Sequence, residues 1–145
     1  MLSLESVYPP THQKIQFLYD LLADRNPIAN ISHKSMPTFE FHNNFVLSCP
    51  YRVWYIICES PSHYIGAIYA TPKWEIGVQV MQNAVRGAGR WALNHFMELH
   101  GPRIYYTNYA PANQTVAEKF WMRSGFKPLQ STLICDRTGD KNGAA

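Results

Sequence analysis

The sequence predicts a single α/β domain, a mixed sheet with helices on both faces, and three observations carry that expectation. Its 145 residues are about one domain's worth of chain. Runs of β-branched and aromatic residues fill the middle, while segments with apolar residues at helical spacing lie before and after them. In the C-terminal half strands and helices alternate, which requires crossover connections and hence some parallel pairing.

Each element has its own signal. Residues 11–25 carry Ile15, Leu18, Tyr19 and Leu22 at helical spacing behind Thr11, a suitable N-cap, and stop before Asn26 and Pro27. A second helix is expected from Pro37 to Leu47, with Phe41 and Phe45 one turn apart, although the alternation of Phe39 and Phe41 also suits a strand. YRVWYIIC (51–58) and YIGAIYAT (64–71), separated by the turn-forming ESPSH, read as a hairpin. In EIGVQVM (75–81), Ile76, Val78 and Val80 share one face and Glu75, Gly77, Gln79 and Met81 the other. A helix over 87–100 has Ala92, Phe96 and Leu99 on one stripe, flanked by Leu93 and Met97, and ends at Gly101 and Pro102. RIYYTN (103–108) is strand-like. A last helix over 113–124 carries Val116, Ala117, Phe120, Trp121 and Ser124, and 126–135 is expected to add one or two strands. Residues 136–145, DRTGDKNGAA, read as a polar disordered tail, which leaves 1–135 as the domain.

Composition narrows the function classes. With 46% apolar, 14% aromatic and 16% charged residues, the chain is too hydrophobic for a disordered segment. The longest apolar run, Val53–Cys58, is far short of a membrane span, and MLSLESVYPP lacks a basic-then-apolar leader pattern. Cys49, Cys58 and Cys135 form no CxxC pair and are odd in number, so reduced thiols in a cytoplasmic protein are expected, without a thiolate metal site. The histidines form no HxxxH or HExxH pattern and are read as structural, with His100 suited to the helix dipole at its C-terminus. The overall charge of +3 is uneven: Arg86, Arg90, Arg103, Lys119, Arg123 and Lys127 face only Glu98 and Glu118 within 86–127, a net +4. An anionic ligand near the C-terminal half would explain the bias, as would an ordinary mixed surface.

VRGAGRWAL (85–93) places Gly87 and Gly89 where a loop enters a helix. Such a start offers unpaired N–H groups and partial positive charge, and missing side chains let an anion come close. Gly87, Gly89 and Ala92 match GxGxxA, yet the preceding strand ends near Met81 and no acidic residue follows where a ribose ligand is needed. The GxxxxGK[ST] phosphate loop is absent. A structural helix entry uses the same glycines.

EIGVQVMQNAVRGAGRWAL (75–93) resembles the strand-loop-helix core of the GCN5-related N-acetyltransferase (GNAT) superfamily, whose motif is Arg or Gln, two residues, Gly, one residue, then Gly or Ala. Arg86, Gly87, Ala88 and Gly89 fit it, while Trp91 stands where a small residue is usual. QTVAEKFWMRSGF (114–126) is similar to the family's C-terminal helix, with Gln114 in place of Asn and Trp121 in place of Tyr. The resemblance spans about 51–133, and the YRVWYII hairpin is also similar to small GNAT-like bacteriophage proteins.

The resemblance implies a GNAT-like fold over 1–135 that transfers the acetyl group of acetyl-CoA to a primary amine. Coenzyme A pyrophosphate would lie on Arg86, Gly87, Ala88, Gly89 and Arg90, and its pantetheine arm along Val78, Gln79 and Val80. Asn108 and Asn113 are further implied cofactor contacts, with helix capping an equally simple account of Asn113. Glu75 is the implied base, although a solvated strand-end carboxylate is equally consistent. Trp121 cannot supply a phenol, so Tyr109, with Tyr105 and Tyr106, stands in as acid. The expected partners are therefore a coenzyme A thioester and an amine acceptor, with no metal, nucleic acid or membrane and with a homodimer open. A non-catalytic protein keeping the fold and binding coenzyme A is the alternative, motivated by Trp91 and Trp121.

Overall fold

The computed structural model describes residues 1–25, 35–110 and 114–139. Five strands form one sheet in the order β1 (Ser3–Ser6), β2 (Val53–Ser60), β3 (His63–Ala70), β4 (Glu75–Val80), β5 (Tyr106–Thr107). The first four are antiparallel neighbours, and β4 pairs with β5 in parallel through Glu75↔Tyr106 and Ile76↔Thr107. The expected hairpin is β2–β3, flanked by β1 and β4, and the crossover through a helix produces the parallel pair.

Helices cover both faces. Helix α1 (His12–Ala23) begins at Thr11, whose hydroxyl accepts from Lys14 N, and buries Ile15, Leu18 and Leu21. Helix α2 (Phe39–Leu47) begins at Thr38, whose hydroxyl accepts from Phe41 N, so the expected start at Pro37 moves two residues on and the strand alternative is overturned. Its inward stripe is His42 and Val46, while Phe41 is 59% exposed, because the i, i+4 pair chosen from sequence lies on the outer side. These two helices pack with Trp54, Ile56, Cys58 and Ala67 on one face.

On the other face α3 (Ala88–His100) and α4 (Gln114–Arg123) bury Ala88, Ala92, Leu93, Phe96, Ala117 and Trp121 against Ile57, Ile65, Ile68 and Ile76. Phe96, Ile56, Ile57, Ile68 and Leu93 are fully enclosed, each contributing on the order of 1.5–3 kcal/mol by leaving water. Leu99 and Val116, expected inside, are exposed, since each lies at the edge of its helix stripe beyond the reach of the sheet.

Three expectations change. Strand β1 was not anticipated, because Leu2 and Leu4 give too short an alternation to stand out. RIYYTN contracts to Tyr106 and Thr107. The segment 126–135 forms no strand: past Phe126, which packs on Trp121, its apolar side chains stand in solvent, Leu133 at 94% exposure. Asp136 accepts from the main-chain N–H and hydroxyl of Thr138, and the rest of the expected tail, 140–145, lies outside the described residues. Among the described residues no helix is long and apolar enough to cross a membrane.

Candidate active site

Strand β4 connects the two halves of the candidate site, and its main chain alternates. The carbonyls of Trp74 and Ile76 point toward β5, accepting from Tyr106 N at 3.0 Å and from Thr107 Oγ1 at 2.9 Å. Odd-numbered residues turn to the other side, where Met81 N donates to Ile65 O and Glu75 O accepts from Thr71 N. Continued along the strand, this alternation sends the N–H and C=O of Val78 and Val80 to the β5 side. The parallel pairing has already ended at Ile76, and among the described residues no backbone hydrogen bond joins the chain after Thr107 to either valine. A notch with an unpaired strand edge results. The valine side chains pack on the α3/α4 face, while Glu75, Gly77 and Gln79 point to the α1/α2 face.

At the end of β4 the chain turns into α3 through Gly87, whose φ of +87° suits glycine and whose missing Cβ would meet only open space. Among the described residues, no carbonyl takes the N–H of Arg86, Gly87, Gly89 or Arg90. Ala88 differs: its N–H donates to Val85 O at 3.2 Å and its methyl is 1% exposed in the core. Gly89 faces Phe120 of α4 and Val80, 3.6 and 3.8 Å from where a Cβ would stand, so two elements close in on this turn. Arg86 is exposed and Arg90 half-buried, and among the described residues neither forms an ion pair. Trp91 stacks on His95 one turn along α3, ring centroids 4.8 Å apart, and packs against the core.

The expected catalytic residues separate. Glu75 accepts from Asn108 Nδ2 at 2.8 Å, placing Asn108 beside the carboxylate. Tyr109 donates to Glu118 Oε1 of α4 at 2.9 Å, and Gln114 donates to the same oxygen at 2.7 Å. Hydrogen bonding to that carboxylate raises the Tyr109 pKa above the usual phenol range. Tyr105 donates to the carbonyls of Met97 and Gly101 at the end of α3. Tyr106 pairs in register with Glu75, hence shares its face. Trp121 is 8% exposed, edge-on to Phe120 and Phe126, and is a core residue. Gln79 reaches away from the strand to donate to Leu21 O at 2.6 Å. Asn113 lies outside the described residues.

One neighbour was not legible from sequence. Tyr69 of β3 pairs with Gly77, and a Cβ at Gly77 would run into the Cζ, Cε1 and hydroxyl of Tyr69, so the phenol's polar end lies across β4 between Glu75 and Gln79. Tyr51 stacks on it with centroids 3.9 Å apart and planes 13° from parallel. Only the hairpin register brings these residues together.

Two histidines act structurally. His42 is buried between α1 and α2 with Nε2 unpartnered, and burial lowers its pKa. His100 is hydrogen-bonded to Tyr55 Oη at 3.0 Å; burial first and Arg103 second lower its pKa. Both effects disfavour the charged imidazole, opposite to the expectation drawn from the helix C-terminus. No group of three or more metal-ligating side chains occurs among the described residues.

The overall fold is similar to that of a known crystal structure. An acetyltransferase of Trypanosoma brucei superposes with a TM-score of 0.57 at 13% sequence identity, over 94% of this chain and 99% of that one. The fold is acetyltransferase-like. No family model and no curated protein matches the sequence.

Proposed function

We propose that the protein is an acyl-CoA-dependent N-acyltransferase that moves an acetyl group from acetyl-CoA to a primary amine by direct attack. The observation that carries this reading is the unpaired edge of β4 running, through one turn, into the free amides at the start of α3. A pantetheine arm presents amides at strand-like spacing, which the C=O of Val78 and the N–H and C=O of Val80 can pair, and a pyrophosphate needs the N–H donors of Arg86, Gly87, Gly89 and Arg90. The side chains of Arg86 and Arg90, which form no ion pair among the described residues, offset its charge. The similarity of the hairpin to bacteriophage proteins carries no part of the proposal.

The thioester supplies an activated acyl carbon. The chain's own contribution is threefold. Main-chain N–H of Val78 faces the place where negative charge grows on the thioester oxygen. Glu75, oriented by Asn108, takes the proton an amine must lose, because a lysine-like amine is protonated below a pKa of ~10.4. Tyr109, held by Glu118, is the acid expected from sequence, and a free thiol's pKa of ~8.5 makes an acid helpful without being required.

Calorimetry with acetyl-CoA, followed by thiol release over an amine panel, tests the reading. Saturable binding with amine-dependent thiol release is expected. Binding without turnover would favour a non-catalytic coenzyme A binder, and no binding would remove the site.

A further inference from the structure

On the β4 face opposite the valines, where Glu75, Gly77 and Gln79 were expected together, the sheet adds Tyr69 and Asn108 to form a polar row. In register across the sheet stand Tyr69 on β3, Gly77 on β4 and, one step past the paired Ile76 and Thr107, Asn108. Glu75 precedes Gly77 on the same face and is bonded to Asn108. Gly77 is the one residue of β4 without a side chain, and that vacancy is filled by the polar end of Tyr69 rather than by an apolar group. The phenol is rigid: Tyr51 stacks on its ring, and Trp54 meets it edge-on at 6.5 Å. Gln79, the other polar side chain on this face, is committed to Leu21 O.

We propose that Tyr69 is an acceptor-positioning residue of the acyl-transfer site, its hydroxyl and the Asn108 side-chain carbonyl receiving the two N–H bonds of a neutral primary amine bound beside the phenol. This inference rests on the acyl-transfer reading. Asn108 Nδ2 is spent on Glu75, so its Oδ1 is the remaining acceptor. With both N–H bonds held, the lone pair attacks the thioester carbon; the C–S bond then breaks, coenzyme A leaving as its thiolate, and the one proton the amine nitrogen gives up passes to the carboxylate of Glu75 in the same row. Orientation of this kind raises the rate without new chemistry. It also explains the glycine: any side chain at 77 would push the hydroxyl off the strand.

The test compares wild type with Tyr69→Phe and Tyr69→Leu, using acetyl-CoA and a panel of Nα-acetyl-lysine amide, spermidine, glucosamine and an alanine-initiated tripeptide. Phenylalanine keeps the aromatic wall and deletes only the hydroxyl. The expected result is a fall of about tenfold or more in kcat/KM for the preferred amine in Tyr69→Phe, the size of one lost hydrogen bond to a reacting group. Acetyl-CoA affinity should stay within about twofold and the melting temperature nearly constant, because the cofactor edge is on the other side of β4. Equal kcat/KM in Tyr69→Phe and wild type, with only Tyr69→Leu impaired, would make the ring a structural wall and overturn the proposal while sparing the acyl-transfer reading. A matched loss of acetyl-CoA affinity and melting temperature in Tyr69→Phe would overturn it in the same way. A wild type that turns over none of these amines ends both.

Discussion

Asn108 and Glu75 meet across the last paired step between β4 and β5, the amide Nδ2 donating to the carboxylate at 2.8 Å. The contact fixes one carboxylate oxygen at the point where the two strands begin to part, and leaves the second oxygen available. Glu75→Gln should therefore lower kcat by about 10²-fold or more while acetyl-CoA affinity holds. Steady-state kinetics with calorimetry check this; an unchanged kcat would demote Glu75.

The arginines flanking the α3 entry act on charge alone. Replacing both Arg86 and Arg90 by alanine should weaken acetyl-CoA binding by about tenfold or more at low salt, with the difference shrinking as salt is raised. Titrations at two ionic strengths measure it, and a salt-independent loss would point to altered packing.

Gly87 stands at φ +87° with open space around it, so Gly87→Ala meets no neighbour and pays only for conformation. The expected cost is about 1–2 kcal/mol of stability. Denaturant unfolding reads it; an unaltered midpoint would mean that the loop relaxes.

Trp121→Tyr places a phenol at the position left without one, yet the side chain points into the core between Phe120 and Phe126. No gain in kcat is expected, and a loss of about 1 kcal/mol or more of stability should follow from the smaller ring and its buried hydroxyl. A rise in kcat would show that α4 can present this side chain to substrate.

Buried His42 and half-buried His100 both have pKa values lowered from the ordinary 6.5. The unfolded chain consequently binds protons first on acidification, and stability contributed by the neutral rings is complete above about pH 6.5 and falls as the pH drops through that value. The melting temperature should be level near neutrality and decline below it, and His42→Leu should flatten the decline. An identical slope in the variant would assign the effect to His100 or to carboxylates.

What could be read from the sequence was local. The central hairpin, the α3 entry at Gly87 and the Glu75-bearing strand announce themselves through contiguous residues, since periodicity and turn chemistry act over a few positions. Phe41 and Phe45 misled because an i, i+4 pair defines a stripe without saying which side of the helix the sheet lies on, and His42 with Val46 turned out to be the inner one. The apolar content of 126–135 suggested strands, but a strand needs a partner edge, and β5 offers two residues. Tyr69 over Gly77 and Asn108 against Glu75 depend on register between strands, which no single segment encodes.

The notch beside Val78 and Val80 is an edge made of peptide groups. Peptide groups are the same whatever side chain they carry, so these positions can drift through any residues that stay extended and fit α3 and α4 behind them. Grip on a thioester's arm would survive such drift intact, and shape would outlast spelling.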